Sequence, residues 1–381
     1  MQYVPFGKLG FEVSRLGFGA MRLPTVAQDD GKQVPDVPRA VALIRAAIDG
    51  GVNYVDTAYP YHGGESEKIV GMALKDGYRE RVKLATKLPC WAVKTRQDMD
   101  RLLDEQLGKL QVPYVDFYLL HALSRERWEK MKSLGVLEFL DSAVKDGRIR
   151  YPSFSFHDEY PVFETIMNSY DWRMAQIQFN YLDTEHQAGL RGVELAEKRG
   201  IPLVVMEPLR GGALANPSAD IQAIIDTYPE KRSAVEWAFR YVGDFSQVAT
   251  ILSGMSDEKQ VSENLDIFDR VRKNGLSGEE QQLIVRLRDA YRKRMPIGCT
   301  GCRYCLPCPQ GVDIPRVFRA YNEANMFDAL ARFPQRYGEY VRDQKDAGRC
   351  VQCGLCESQC PQHLPIRDWL QTVHKAGNGG E

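Results

Sequence analysis

Two groups of residues in this chain have the types and spacing to do chemistry. Near the C-terminus, Cys299, Cys302, Cys305 and Cys308 are each separated by two residues, and Pro309 follows. Cys350, Cys353, Cys356 and Cys360 repeat the pattern with three residues before the last cysteine, and Pro361 follows. The second run is the C-x2-C-x2-C-x3-C-P spacing that holds [4Fe-4S] clusters, and the first differs from it by one residue. Zinc is the alternative, but it takes four ligands, typically as two spaced pairs. In two-cluster proteins the fourth cysteine of each run serves the other cluster. One cluster is therefore expected on Cys299, Cys302, Cys305 and Cys360, and a second on Cys350, Cys353, Cys356 and Cys308. The shortened first run affects only the reach to Cys308. Cys90 has no partner in the sequence and is expected to be an inert small thiol.

The second group is Asp56, Tyr61, Lys87 and His121. A tyrosine ionises at about pH 10, so a role in proton transfer near neutrality calls for a cation beside the phenolate. Lys87 would supply that charge, and Asp56 would keep the lysine protonated in a partly dry site through an ion pair. His121 would orient a carbonyl oxygen by hydrogen bonding. The chemistry that fits is carbonyl reduction, with a hydride delivered to carbon while Tyr61 protonates oxygen.

These residues can meet only if the chain places them at one mouth. Candidate strands are Arg15–Met21, Val52–Asp56, Val82–Lys87, Val115–Leu120, Ile149–Phe154, Met174–Gln178, Pro202–Met206 and Gln247–Leu252. Helical patterns lie between and after them at Pro38–Asp49, Glu65–Leu74, Thr95–Leu110, Glu126–Lys145, Tyr160–Met167, His186–Arg199, Lys231–Tyr241 and Asp257–Val271. Eight such repeats predict a (β/α)8 TIM barrel, an α/β fold of about 250 residues in which working residues come from the C-terminal ends of the strands. Asp56, Lys87 and His121 close the second, third and fourth strands, and Tyr61 follows Asp56 by five residues. A doubly wound open sheet is the rival, but its dinucleotide turn would be G-x-G-x-x-G, and after Gly17 and Gly19 the third position is Arg22. Short strands at Tyr3–Pro5 and Glu12–Ser14 predict a hairpin that plugs the barrel bottom.

Eight of the nine cysteines follow Met295, so the chain divides. We expect a barrel over 1–276, a charged helical linker over 277–296 and a cysteine module over 297–381. The 381 residues are 44% hydrophobic and 27% charged, enough for a sizeable core. A formal net charge of -1 gives no field to recruit nucleic acid or anionic lipid. No run approaches the roughly 18 to 20 apolar residues of a membrane span, and no apolar stretch follows a basic start at the N-terminus. A cytoplasmic location is expected, where clustered thiols are more often metal ligands than disulfides.

The strings VNYVDTAYPYHGGESEKIVGMAL, VKLATKLP, YVDFYLLHAL, PLVVMEPLRGGAL and ILSGMSDEKQVSENL resemble successive signature segments of the aldo-keto reductase family, over about residues 3 to 271. The resemblance implies a catalytic tetrad of Asp56, Tyr61, Lys87 and His121, and an NADH or NADPH cofactor extended across the barrel mouth. It places Ser155 and Gln178 on the nicotinamide carboxamide, although the asparagine that usually follows the serine is here Phe156. Met206 stands where an aromatic side chain usually stacks under the ring. Ala20 and Met21, with Pro208, Leu209 and Gly211, are expected to line the groove. Gly254 and Met255 occupy positions where NADPH-preferring relatives often carry Lys and Ser, and Gln260 replaces a frequent arginine. Glu263 and Asn264 remain for the adenine.

A 2'-phosphate favours Arg or Lys, and Arg210 and Lys259 are the substitutes in reach. NADH is therefore expected to serve at least as well as NADPH. Trp91 is a candidate wall of the substrate pocket, and His62 and His157 lie near the predicted mouth. The C-terminal module, helical in pattern over Ile314–Val341, resembles a helical two-cluster ferredoxin. The function expected is reduction of an aldehyde, ketone or sugar-like carbonyl, with clusters exchanging electrons with a redox partner. Its rivals are the same reductase with structural clusters, and a redox interaction protein with a vestigial barrel site.

Overall fold

A computed structural model describes residues 1–29 and 31–379. The chain opens with β1 (Tyr3–Pro5) and β2 (Glu12–Ser14), then β3 (Leu16–Gly19) and a second antiparallel hairpin, β4 (Thr25–Ala27) and β5 (Gln33–Pro35). Strand and helix then alternate: α1 (Val37–Asp49), β6 (Tyr54–Asp56), α2 (Ser66–Ala73), β7 (Lys83–Leu88), α3 (Arg96–Leu110) and β8 (Val115–Leu123). Next come α4 (Arg125–Ser133), α5 (Val136–Lys145), β9 (Ile149–Phe156), α6 (Tyr160–Met167), β10 (Met174–Gln178), α7 (Gly189–Arg199) and β11 (Leu203–Met206). The series ends with α8 (Ala219–Ile225), α9 (Ala234–Asp244), β12 (Val248–Ser253) and α10 (Glu258–Ile267).

Strands β3 and β6 to β12 pair in parallel and close into a barrel of eight strands, as the alternating pattern predicted. Local chemistry starts the helices where the strands release the chain. Thr95 and Asp98 form a reciprocal capping box on α3, and Asp36 caps α1, whose first turn carries Pro38. The helix expected over Glu126–Lys145 is broken in two. Gly135 stands between α4 and α5 at φ 74, a left-handed conformation that an L side chain disfavours and a helix cannot continue through.

The expected plug is present. Phe6, at the tip of the first hairpin, is fully buried, its ring 4.9 Å from that of Phe117 and 6.2 Å from that of Tyr54. With Met174, Val204 and Ala249 these side chains fill the lower barrel interior. Alternation along each strand sends the neighbouring residues outward, where Leu84, Tyr118, Phe154, Phe156 and Ile177 pack in the core beneath the helices.

The chain divides into two compact units, and the division differs from the expected boundaries. One unit is Met1–Leu214 with Val235–Gly278; the other is Ala215–Ala234 with the chain from Glu279 onward. In the second unit α11 (Gly278–Lys293), expected as a linker, is tied to the inserted segment. Arg232 pairs with Glu280, and Arg294 hydrogen-bonds Ser218 at 2.6 Å. Its own core joins α12 (Ile314–Met326), α13 (Phe333–Arg342) and α15 (Ile366–Gly377) through Phe318, Phe333, Tyr337 and Leu370, with the short α14 (Leu355–Ser358) beside them. Among the described residues no helix is long and apolar enough to cross a membrane.

Candidate active site and cysteine cavity

Strand register builds the barrel site. Asp56 ends β6 level with Ala85 of β7, and two residues further along β7 Lys87 is level with Leu119 of β8. His121 stands two residues beyond Leu119. All three side chains therefore fall on the inward phase, and the 3-10 turn Tyr61–Gly64 brings Tyr61 over them. Lys87 Nζ donates to Asp56 Oδ1 at 2.6 Å, to the Thr57 carbonyl at 2.7 Å and to Tyr61 OH at 3.5 Å. The Tyr61 and His121 rings meet edge to face at 6.1 Å, and Trp91, 44% exposed, lies 5.1 Å from His121 as an outer wall. The four residues singled out in the sequence come together.

Burial and charge set their protonation. Burial alone would lower the Lys87 pKa, but the charges of Asp56 and Tyr61 override it and raise it, so the ammonium persists. Burial raises the Asp56 carboxyl, while Lys87 and the Gln176 amide pull it back. For Tyr61, burial outweighs the attraction of Lys87 and the pKa lies above its usual value. The phenol thus holds its proton at neutrality, the opposite of the net shift expected from the Lys87 charge alone. Burial first, then Lys87, lowers His121 to about 2, which leaves a neutral imidazole.

Gln176 was missed in the sequence, as was the support behind Lys87. Thr86 Oγ1 and Gln106 Nε2 each donate to Glu67 Oε1 at 2.6 Å. Gln106 Nε2 also donates to the Lys87 carbonyl at 3.0 Å, and Tyr118 OH donates to Gln106 Oε1 at 2.7 Å. The available signal was polarity in apolar surroundings: Gln176 sits inside the strand Met174–Gln178, on the phase that points inward.

The expected cofactor residues divide. Ser155 is buried on β9 and accepts from the Ala122 N–H at 2.7 Å, which leaves its hydroxyl hydrogen free to donate. Gln178 is half-buried at the end of β10 and donates to Asp183 Oδ2 at 3.1 Å. Phe156 points outward against Phe163, 5.1 Å between rings, so the aromatic residue after the serine does not face the mouth. Ala20 is buried, Met21 is 55% exposed, and Met206 packs half-buried on the interior cluster. Leu209 is half-buried, Gly211 exposed and Pro208 buried.

The loop after β12 departs from expectation. Met255 is fully buried in the core outside the barrel. Gln260 is occupied at the start of α10, accepting from Ser256 N–H at 2.9 Å and donating to Asp257 at 2.8 Å. Asn264 is buried and donates to Ser253 Oγ at 3.0 Å. Glu263 is exposed and faces Lys259 at 3.6 Å, and Arg210 is tied to Asp183 at 3.0 Å. His62 accepts from the Leu23 N–H at 3.0 Å, joining two loops, and His157 meets Gln187 at 3.2 Å. Cys90 is fully buried, which raises its thiol to about 12 and suits the inert role.

In the second unit the cysteines line space rather than a single point. Among the described residues no three His, Cys, Asp or Glu side chains gather to hold one metal ion. Cys308, Cys350, Cys353 and Cys356, with Cys305, instead line a cavity of about 310 Å³ whose walls include Ile314 and Leu370. Cys299 has Cys302 and Cys360 as its thiol neighbours. Burial raises the Cys305 thiol to about 11 and shifts Cys299 and Cys356 upward. Thiols of this kind become good ligands once a metal takes the proton's place, and ligands set around a cavity fit a polynuclear cluster.

The chain thus combines a closed parallel barrel, with a lysine, a carboxylate, a phenol and an imidazole at its mouth, and a cysteine-rich helical unit. The chain belongs to the aldo/keto reductase family, whose model matches residues 15–275, and a 4Fe-4S dicluster domain matches residues 298–364. A probable aldo-keto reductase of Glycine max is 33% identical over 163 residues, 41% of this chain and 45% of that protein, so the chain spans about half of that relative. L-galactose dehydrogenase of Arabidopsis thaliana is 25% identical over 298 residues, 72% of this chain and 90% of that protein. The holo form of the aldo-keto reductase AKR11C1 from Bacillus halodurans superposes with a TM-score of 0.64 at 25% identity, covering 75% of this chain and 96% of that one.

Proposed function

We propose that this protein is an NADH- or NADPH-dependent reductase of an aldehyde, ketone or sugar-like carbonyl, with Tyr61 as proton donor and two [4Fe-4S] clusters as one-electron carriers. The observation that carries the reading is the bridge of Lys87 Nζ between Asp56 and Tyr61 OH. A bound nicotinamide supplies the hydride for the carbonyl carbon. Tyr61 transfers its proton to the carbonyl oxygen, and the phenolate left behind faces the Lys87 ammonium. Neutral His121 donates a hydrogen bond to the same oxygen, and Trp91 walls the substrate. The unpartnered, buried Nδ1 of His121 marks a polar site open to a ligand. Ser155 and Gln178 would hold the carboxamide, with Ala20, Met21, Met206, Leu209, Gly211 and Gly254 along the groove. The sugar-like class is supported by the name of the Arabidopsis relative.

Cys299, Cys302, Cys305 and Cys360 would hold one cluster; Cys308, Cys350, Cys353 and Cys356 would hold the other. Clusters accept electrons singly, whereas hydride carries a pair, so a redox partner or the substrate must divide the pair. A structural role is the second reading, favoured by the packing of Cys299, Cys305, Cys308, Cys350, Cys356 and Cys360 against the unit's hydrophobic core. Anaerobic titration of the purified holoprotein with NADH in the presence of a carbonyl substrate, followed by paramagnetic resonance, separates the two. A reduced-cluster signal is expected, and silence would favour the structural role.

A further inference from the structure

Two cations expected at the phosphate end of the mouth are occupied, Arg210 by Asp183 and Lys259 by Glu263. Arg22 is not. It ends the 3-10 turn Ala20–Arg22 after β3, is exposed, and has no hydrogen-bond or ion-pair partner among the described residues. Its side chain lies across two other barrel loops. A Cβ built at Gly254, after β12, would come within 3.0 Å of Arg22 Cβ and 3.3 Å of its Cγ and Cδ. One built at Gly211, after β11, would come within 3.1 Å of Arg22 Nη2. The guanidinium therefore reaches from the first strand's loop over the last strand's loop to the one before it.

Its base is anchored. Leu23 is buried, and its N–H donates to His62 Nε2 at 3.0 Å. Its far end borders a carboxylate, since Glu207 Oε2 lies 3.6 Å from the same built atom at Gly211. A dinucleotide crossing this rim brings phosphate charge toward Glu207, and only a cation placed between them makes the approach favourable. A planar fork of unused donors over glycine-floored loops suits bidentate contact with phosphate oxygens.

We propose that Arg22 grips a phosphate of the nicotinamide dinucleotide, either the pyrophosphate or the 2'-phosphate of NADPH. The proposal rests on the nicotinamide reading of the barrel. Its test is equilibrium binding of NADH and NADPH to the full-length holoprotein by quenching of intrinsic fluorescence, with Arg22→Ala and Arg22→Lys beside the native chain. We expect Arg22→Ala to weaken binding by about tenfold or more, and Arg22→Lys to retain part of the loss because it keeps charge without the fork. Equal losses for both dinucleotides assign the pyrophosphate; a loss for NADPH alone assigns the 2'-phosphate. Gly254→Ala, which presses on the Arg22 side chain, should weaken the same dinucleotides. Unchanged affinity of Arg22→Ala for both overturns the proposal and leaves the nicotinamide reading standing. Failure of the native protein to bind either dinucleotide overturns both.

Discussion

At the barrel mouth Asp56, Lys87 and His121 sit on three different strands and Tyr61 on a short turn, and the parallel ladder fixes their spacing. In the cysteine unit the thiols sit on the segments leading into α12, α14 and α15 and on α14 itself, beside a cavity and against a core of modest size. In the barrel site the Lys87 ammonium is held by hydrogen bonds within the chain. In the cysteine unit burial raises the thiols of Cys299, Cys305 and Cys356, and on the proposed reading iron takes the place of their protons. Polar groups can be held reactive by a large apolar frame or by bonds to metal, and on the proposed reading each unit uses one of these.

The sharpest break between the two comes from removing iron. Chelation should abolish cluster absorbance and melt α12, α13 and α15, and Cys356→Ala should remove the absorbance of one cluster, while the barrel retains its own cooperative transition. A single transition in which barrel and module unfold together on chelation would contradict the contrast. Next in size is Lys87→Ala. It strands the buried Asp56 carboxylate and should cost about 3–5 kcal/mol of barrel stability in urea unfolding, with cluster absorbance unchanged.

The pH dependences are smaller. Because burial raises Tyr61, the phenol stays protonated at neutrality, and the rate of the proposed reduction should not fall from loss of this proton until above about pH 10. His121 carries the opposite sign. Its folded pKa, lowered to about 2, lies below the ordinary value of 6.5, so its contribution to stability is intact above that value and is lost as pH falls toward the folded pKa. His121→Gln should flatten this acid limb in chemical-denaturation midpoints. The smallest effect expected is Trp91→Ala, a rise of about several-fold in KM with kcat little changed.

Much of the barrel was legible because its signals are local. Alternation from Val115 to His121 and the strand-end positions of Asp56 and Lys87 suffice to bring the tetrad together. What was not legible depends on contacts distant in sequence. Nothing in the segment around Ala215–Ala234 announces that its partners are Glu280 and Arg294. The exposed hairpin β4–β5 buries too little to leave a periodic pattern. Gly135 carried a readable hint, a glycine within an otherwise helical run. Arg22 read only as a missing glycine until the loops around Gly211 and Gly254 gave it a setting.

On the proposed function, the Asp56–Lys87–Tyr61–His121 constellation reduces a carbonyl with Tyr61 as the acid. Tyr61→Phe removes one oxygen and its proton while keeping the ring against His121. Steady-state turnover of a carbonyl substrate should fall by about 10²–10⁴-fold, while nicotinamide binding, measured on the same preparation, remains close to native. Turnover undiminished in Tyr61→Phe would contradict the account.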